Sequence, residues 1–258
     1  VRWIKIRRAL WNTVNSEISR QAIMREIDGT LSRLGTDYLD LYIIHRFDYD
    51  TPIEETMEAL HDLVKAGKVR ALGASAMYGY QFYNMQLAAR DNGWTPFSAM
   101  ENHYNLLYRE DERELLPICK QMKVSLMPYS PLAAGHLARP QWKSESLRGT
   151  TDRVAMGKYD KTESEDMQIV KRVAELAEKY NCKMSQIAIA WQWAKGILSP
   201  IIGATKTKYL DDSAGAFDIK LTAEDLAYLE EPYVPHEIVG AIDKNPAQGV
   251  ILLDEKKF

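Results

Sequence analysis

Asp37-Tyr-Leu-Asp-Leu-Tyr-Ile-Ile-His45, continued by Arg46-Phe-Asp48, is the stretch on which the reading of this chain turns. It is a short apolar run that stops abruptly at a histidine and charges. Before it, Leu31-Ser-Arg-Leu-Gly35 reads as the last turn of a helix; after it, Thr51-Pro-Ile-Glu-Glu55 reads as a helix start. A strand buried on both faces, fed by one helix and followed by another, is a β/α unit of a parallel sheet. In barrels built from such units, polar residues at the C-terminal strand ends form the active face. His45 stands at that kind of position.

Working outward, helix and strand patterns alternate almost without interruption. Ser19 caps a helix running to about Leu34, with Ile23, Ile27, Leu31 and Leu34 on one face and Gly35 at its end. A second helix opens at Thr51-Pro52 and stops at Gly67. Strands are expected at Val69–Ser75, Phe97–His103, Val124–Ser130 and Pro200–Ala204, with a further one at Val1–Ile6. Helices are expected over Tyr80–Arg90, Arg109–Gln121 (interrupted by Pro117), Glu165–Tyr180, Met184–Lys195, Thr207–Phe217 and Thr222–Glu230. Pro131–Ser164 reads as irregular and is too long for an idle connection, which favours a loop over a cofactor or substrate. The charged run Arg109-Glu-Asp-Glu-Arg-Glu114 reads as a solvated helix start. No G-x-G-x-x-G turn is found, which argues against a Rossmann dinucleotide domain.

The 258 residues carry a net charge of −3 and are 46% hydrophobic, the balance of a globular chain with no bulk attraction to nucleic acid or an anionic membrane. Cys119 and Cys182 fit no metal-ligand spacing and read as reduced core thiols. No run approaches a membrane span and the start lacks a signal-peptide core, so a cytoplasmic protein is expected.

Polar and aromatic groups end several strands: His45, Ser75, Glu101 to Asn105, and Tyr129-Ser130. Their convergence at one end of a parallel sheet would make a ligand site. Two loops suit a phosphate-bearing ligand. Ser130-Pro-Leu-Ala-Ala-Gly-His-Leu137 offers a hydroxyl and a glycine permitting close backbone approach. Gly203-Ala-Thr-Lys-Thr-Lys208 runs into a helix, so free N–H groups, Thr205 and Lys206 could gather round an anion.

Arg33-Leu-Gly-Thr-Asp-Tyr-Leu-Asp-Leu-Tyr-Ile-Ile-His45 and Leu63-Val-Lys-Ala-Gly-Lys-Val-Arg-Ala-Leu-Gly-Ala-Ser75 resemble the aldo-keto reductases, as do Asn102-His-Tyr-Asn105, Tyr129-Ser-Pro-Leu132 and Pro200-Ile-Ile-Gly-Ala-Thr205, in the family's order. The likeness runs from about Ser19 to Gly240 and looks nearest to the bacterial and fungal branch related to potassium-channel β-subunits. It implies an α/β fold, a TIM (β/α)8 barrel forming a single domain over residues 1–258. Within that domain, 131–164 would be a long cofactor and substrate loop and 232–258 a C-terminal tail. The implied activity is NADPH-dependent reduction of aldehydes or ketones by hydride transfer. The implied partner is a small-molecule carbonyl substrate, with a homo-oligomer left open.

By this resemblance His45 would hydrogen-bond the substrate carbonyl. Tyr129 would stack on the nicotinamide, and Ser130, Leu132, Gly135 and Leu137 would follow the pyrophosphate. Thr205 and Lys206 would hold the 2′-phosphate, with Tyr209 and Asp212 near the adenine. Ser75 and Glu101 would face the carboxamide, although Ala76 stands where many members have asparagine and Glu101 where glutamine is usual. The family's acid is a tyrosine whose pKa is lowered by a lysine paired with an aspartate. Lys5 would be that lysine. The aspartate and tyrosine lie on the first two β/α units, which these residues are expected to lack. A non-catalytic NADP(H)-binding sensor or accessory subunit, or a truncated fragment, therefore stays open beside the reductase.

Overall fold

A computed structural model describes residues 3–6, 18–143, 152–204 and 206–239. Among these residues the sheet has five strands in sequential order, β1 (Trp3–Ile6), β2 (Leu39–Ile44), β3 (Val69–Ser75), β4 (Phe97–Glu101) and β5 (Ser125–Leu126), with β1 to β4 paired in parallel. Of β1 only the backbone is described. The described helices are α1 (Arg20–Leu34), α2 (Ile53–Lys65), α3 (Gly79–Asn92), α4 (Leu115–Gln121), α5 (Arg153–Tyr159), α6 (Glu163–Lys179), α7 (Met184–Ala194), α8 (Thr207–Ala214) and α9 (Ala223–Glu230).

Local chemistry accounts for the helix limits. Ser19 Oγ accepts the Ala22 N–H to start α1, and Gly35 ends it with φ of 62°. There the glycine N–H bonds back to Leu31 and Ser32 carbonyls, a left-handed cap that a side chain would strain. Thr222 caps α9 by accepting the Asp225 N–H, and Asp225 returns a bond to the Thr222 N–H. Helices α1 to α3 each bury an apolar face, among them Ile27, Met57, Leu60, Phe82 and Met85.

The described chain falls into two compact units. One takes the chain up to Glu101 together with Pro117–Ser125; its core is β2 to β4 and the buried faces of α1 to α3. Most residues of β2 and β3 are buried, as a sheet covered on both faces requires. The other takes Asn102–Leu116 and the chain from Leu126. Its core joins Tyr104, Leu107, Tyr159, Val173, Ile187 and Trp191 with their neighbours.

Several expectations need correction. Val124–Ser130 is a strand only over Ser125–Leu126, and the helix expected from Arg109 breaks at Glu114 rather than at Pro117. Pro200–Ala204 is not a strand: a single bond from the Ile201 N–H to the Pro128 carbonyl ties it down. Its apolar composition fits a strand, but the ladder of bonds that would make one is not formed. Pro131–Ser164 is not simply irregular, because a 3-10 turn over Ala133–Ala138, helix α5 and a second turn over Asp160–Thr162 lie within it. The charged run from Arg109 is not a solvated helix start. Arg109 and Glu110 side chains are only 12% and 5% exposed, because distant residues supply their partners.

Candidate active site

In the first unit, strand register brings the sequence candidates into line. Ile43, Gly73 and Ala99 pair across β2, β3 and β4. A Cβ built on Gly73 would lie 3.0 Å from Ile43 Cγ1 and 3.5 Å from Ala99 Cβ, so these positions share one face. Side chains alternate with a period of two, so the next residues on that face are His45, Ser75 and Glu101. Ser75 and Glu101 are register partners and close their strands, at 0% and 4% exposure. His45 follows the last residue of β2 and is half-buried. All three therefore stand at C-terminal ends of neighbouring parallel strands. Among the described residues the Ser75 Oγ has no hydrogen-bond partner, although it is fully buried. A buried unbonded hydroxyl costs about 1–3 kcal/mol, and such a group calls for an explanation such as a ligand.

The loop leaving His45 is held by Asp48, which was not singled out in the sequence. Its buried carboxylate accepts from the N–H of Ile18 (2.9 Å) and of Asp50 (3.0 Å) and from Thr51 Oγ1 (2.7 Å). These bonds fix the turn between β2 and α2. Lys5 pairs with Ile43 in the backbone register. Its side chain lies outside the described residues, as does Thr205 entirely.

In the second unit, Tyr129 and Ser130 open a loop of unusual backbone. Ser130, Ala133 and Ala134 have φ of 57°, 45° and 55°, and Gly135 has 102°. Left-handed conformations at non-glycine residues cost about 1–3 kcal/mol each and cluster where a segment grips a ligand. Glycine is required at 135 for its φ, and a Cβ there would meet Arg139 Nη1 at 2.7 Å. Leu137 is buried and Leu132 partly so; they pack this loop onto the core rather than presenting side chains outward. Lys206 and Tyr209 are exposed, on and just inside the start of α8. Asp212 is paired with Lys183, so its carboxylate is already engaged within the unit.

Around Tyr129 lies an aromatic cluster of which the sequence marked only the motif. His103 is stacked between Tyr108 (centroids 4.2 Å, planes 15° apart) and Tyr129 (5.1 Å, 7°). Its Nε2 lies 2.8 Å from Tyr159 Oη. Asn105 Nδ2 donates to Tyr159 Oη (3.1 Å) and to the Ser130 carbonyl (3.0 Å), while its Oδ1 accepts the Leu107 N–H. The Lys158 ammonium sits 4.7 Å from the Tyr129 ring centre. Burial, aided by that ammonium, holds the His103 pKa well below the usual histidine value, so the ring is neutral. Tyr159 lay in the stretch read as irregular, and no local pattern marks it.

Two further networks in this unit join residues far apart in sequence. Arg109 makes a bidentate pair with Glu112 (3.0 and 2.9 Å) and also donates to Glu230 (2.9 Å), which accepts from Trp191 Nε1 (2.8 Å). His236 Nε2 lies 3.0 Å from Asp166 and its Nδ1 2.6 Å from the Val234 carbonyl. Its N–H and the Tyr233 hydroxyl both donate to Glu110. Burial pulls the His236 pKa down, but the Asp166 carboxylate more than offsets this and the net shift is upward. His236 also helps to line a cavity of about 310 Å³ with Lys158, Lys161, Glu165, Val234 and Glu237.

Among the described residues, no helix is long and apolar enough to cross a membrane and no group of histidine, cysteine, aspartate and glutamate could hold a metal ion.

Comparison with known proteins adds the family. The aldo/keto reductase family pattern matches residues 4–233. An aldo-keto reductase of Fusarium vanettenii is 46% identical over 224 residues, 86% of this chain and 60% of the relative. The versiconal hemiacetal acetate reductase of Aspergillus parasiticus is 44% identical over 222 residues, 86% of this chain and 64% of the relative. Aldo-keto reductase AMT2 of Alternaria alternata is 44% identical, with 84% of this chain and 58% of the relative covered. The chain thus spans roughly three fifths of the length of these relatives. A parallel β/α sheet with polar residues at its C-terminal strand ends is what that match leads one to expect, and the chain belongs to the aldo/keto reductase family, whose fold is the TIM barrel.

Proposed function

We propose that this chain carries part of the machinery of an NADP(H)-dependent reductase of aldehydes and ketones. The observation that carries the reading is the row His45, Ser75 and Glu101 at adjacent C-terminal strand ends, with a buried Ser75 hydroxyl that no described residue satisfies. The residues present fit a nicotinamide dinucleotide on two counts. Ser75 is an orphaned buried hydroxyl beside a buried carboxylate, able to meet an amide, and the left-handed run after Tyr129 offers backbone rather than side chains. The name of the Aspergillus relative, a reductase, supports the reaction class.

When bound, the nicotinamide supplies a hydride to the carbonyl carbon. The chain's own residues do the positioning. His45 donates a hydrogen bond to the carbonyl oxygen and orients it, and Lys5 would be the lysine that lowers the pKa of the tyrosine acid the resemblance implies. Tyr129 provides a flat aromatic surface, with Ser130, Leu132, Gly135 and Leu137 shaping the loop along the pyrophosphate. Thr205 and Lys206 hold the 2′-phosphate, a cation there favouring NADP over NAD. Tyr209 and Asp212 border the adenine. Glu101 in place of glutamine accepts from the carboxamide but cannot donate unless protonated, which weakens the grip on the cofactor. A second reading is a chain that binds NADP(H) without useful turnover, since none of the described strand-end residues is the tyrosine acid that the resemblance implies.

Titration with NADPH followed by its fluorescence, then oxidation with a generic aromatic aldehyde, tests both. Binding with oxidation is expected of the reductase. Binding without oxidation leaves the sensor or accessory reading, and no binding overturns both.

A further inference from the structure

Tyr129 is held by an arrangement more specific than packing requires, with His103 stacked on its ring and the Lys158 ammonium 4.7 Å from the ring centre. Its partner His103 sits in a stack of three rings, and the hydrogen bonds around Tyr159 fix the state of that imidazole. Asn105 is oriented by its own bonds, its Oδ1 accepting from Leu107 and its Nδ2 donating to Ser130. The Tyr159 hydroxyl accepts a hydrogen bond from Asn105, and its own O–H has one acceptor among the described residues, His103 Nε2 at 2.8 Å. His103 Nε2 is then an acceptor and its hydrogen sits on Nδ1, a buried nitrogen that makes no bond. That unbonded position carries a cost, and it persists because the stack and the Tyr159 bond determine the ring's orientation. Backbone geometry points the same way. His103 and Tyr129 form an isolated parallel bridge, the Tyr129 N–H bonds the Asn102 carbonyl at 2.9 Å, and Asn105 holds the carbonyl of Ser130, whose φ is 57°.

We propose that His103, with its tautomer and plane set by the Tyr159 hydroxyl, is a positioning residue that fixes the Tyr129 ring for stacking against a nicotinamide. This rests on the reading of Tyr129 as the cofactor's aromatic surface. His103 touches no reacting atom and acts through Tyr129 alone. Helix α5, which carries Tyr159, thereby gains a reason to be folded against this cluster.

The test compares two ligands on the full chain: NADP+, and 2′,5′-ADP, which keeps the phosphorylated adenosine but lacks the nicotinamide. Both dissociation constants are measured for the wild type, His103→Ala, Tyr159→Phe and His103→Phe. Loss of ordered stacking should weaken NADP+ about 10-fold in His103→Ala and less in Tyr159→Phe, with 2′,5′-ADP unchanged. His103→Phe, which keeps a flat ring between Tyr108 and Tyr129, should recover most of the affinity. Tyr159→Phe retains its packing, so it serves as the readout should His103→Ala fail to fold. Equal weakening of both ligands, or no weakening of either, overturns the proposal while leaving the cofactor reading intact. A wild type that binds neither ligand overturns the cofactor reading, and this proposal with it.

Discussion

The strand ends of the first unit and the polar clusters of the second were assembled in opposite ways. His45, Ser75 and Glu101 each close an apolar run in their own segment, and parallel pairing with a period of two does the rest. In the second unit, Arg109 meets Glu230 and Glu110 meets His236 across 121 and 126 positions of sequence. A regular sheet turns local pattern into alignment. Irregular packing has no such rule, and its partners are chosen only when the chain has folded. The first region is therefore expected to answer substitution through chemistry, and the second through stability.

The largest effect separating them is expected at His45. His45→Ala should lower carbonyl reduction by about 1000-fold in kcat/KM, within the usual range for a lost positioned proton-transfer or hydrogen-bonding group. Its melting temperature should move little. Steady-state kinetics beside a thermal melt check this, and an unchanged rate would remove His45 from the reaction.

Arg109 should behave in the converse way. Arg109→Met removes the bidentate cation and leaves the Glu112 and Glu230 carboxylates with Lys195 alone, at 3.8 and 3.1 Å. Breaking a fully buried pair typically costs about 3–5 kcal/mol; the retained Lys195 and the 21% exposure of Glu230 bring the expected loss to about 2 kcal/mol. Urea denaturation gives the number, and a loss below 1 kcal/mol would mean that the network is ornamental.

His236 predicts a dependence on pH. Both ring nitrogens face acceptors, the Val234 carbonyl and the Asp166 carboxylate, so the imidazolium is the form that this geometry holds. The folded pKa lies above the unfolded value near 6.5. The stabilisation is therefore complete below about pH 6.5 and fades as pH rises through the higher folded value. His236→Ala should cost about 2 kcal/mol at pH 6 and clearly less at pH 9. Identical losses at both pH values would exclude a protonated clasp.

The smallest effect belongs to Ser75. Ser75→Ala removes a buried hydroxyl with no partner among the described residues, so stability should stay within about 1 kcal/mol or improve. NADP+ affinity should fall severalfold. If stability drops by more than 2 kcal/mol, the hydroxyl has a protein partner and its reading as a ligand-facing group is wrong.

Much of the architecture was legible before any coordinates. Ser19 and Gly35 marked α1 at both ends because a cap and a left-handed turn are local requirements. Val69–Ser75 is a strand over the expected residues. The limits of sequence reading appear where a strand needs a neighbour: Pro200–Ala204 has the composition but forms one bond to Pro128 instead of a ladder. They appear again in Pro131–Ser164, whose helix α5 supplies Tyr159 without an apolar period long enough to announce it.

The family resemblance assigned roles to His45, Tyr129 and the loop after it, but it was silent on Asp48, Tyr159, Asp166 and His236. The amino-acid order by itself determined the alternation of elements and the strand-end placement of His45, Ser75 and Glu101, because caps, turns and the two-residue alternation act between near neighbours. The folded chain alone decided which charges of the Arg109–Glu114 run would be buried and how the rings around His103 would stack. Those choices depend on desolvation and on partners supplied from dozens to more than a hundred residues away, which no local pattern encodes.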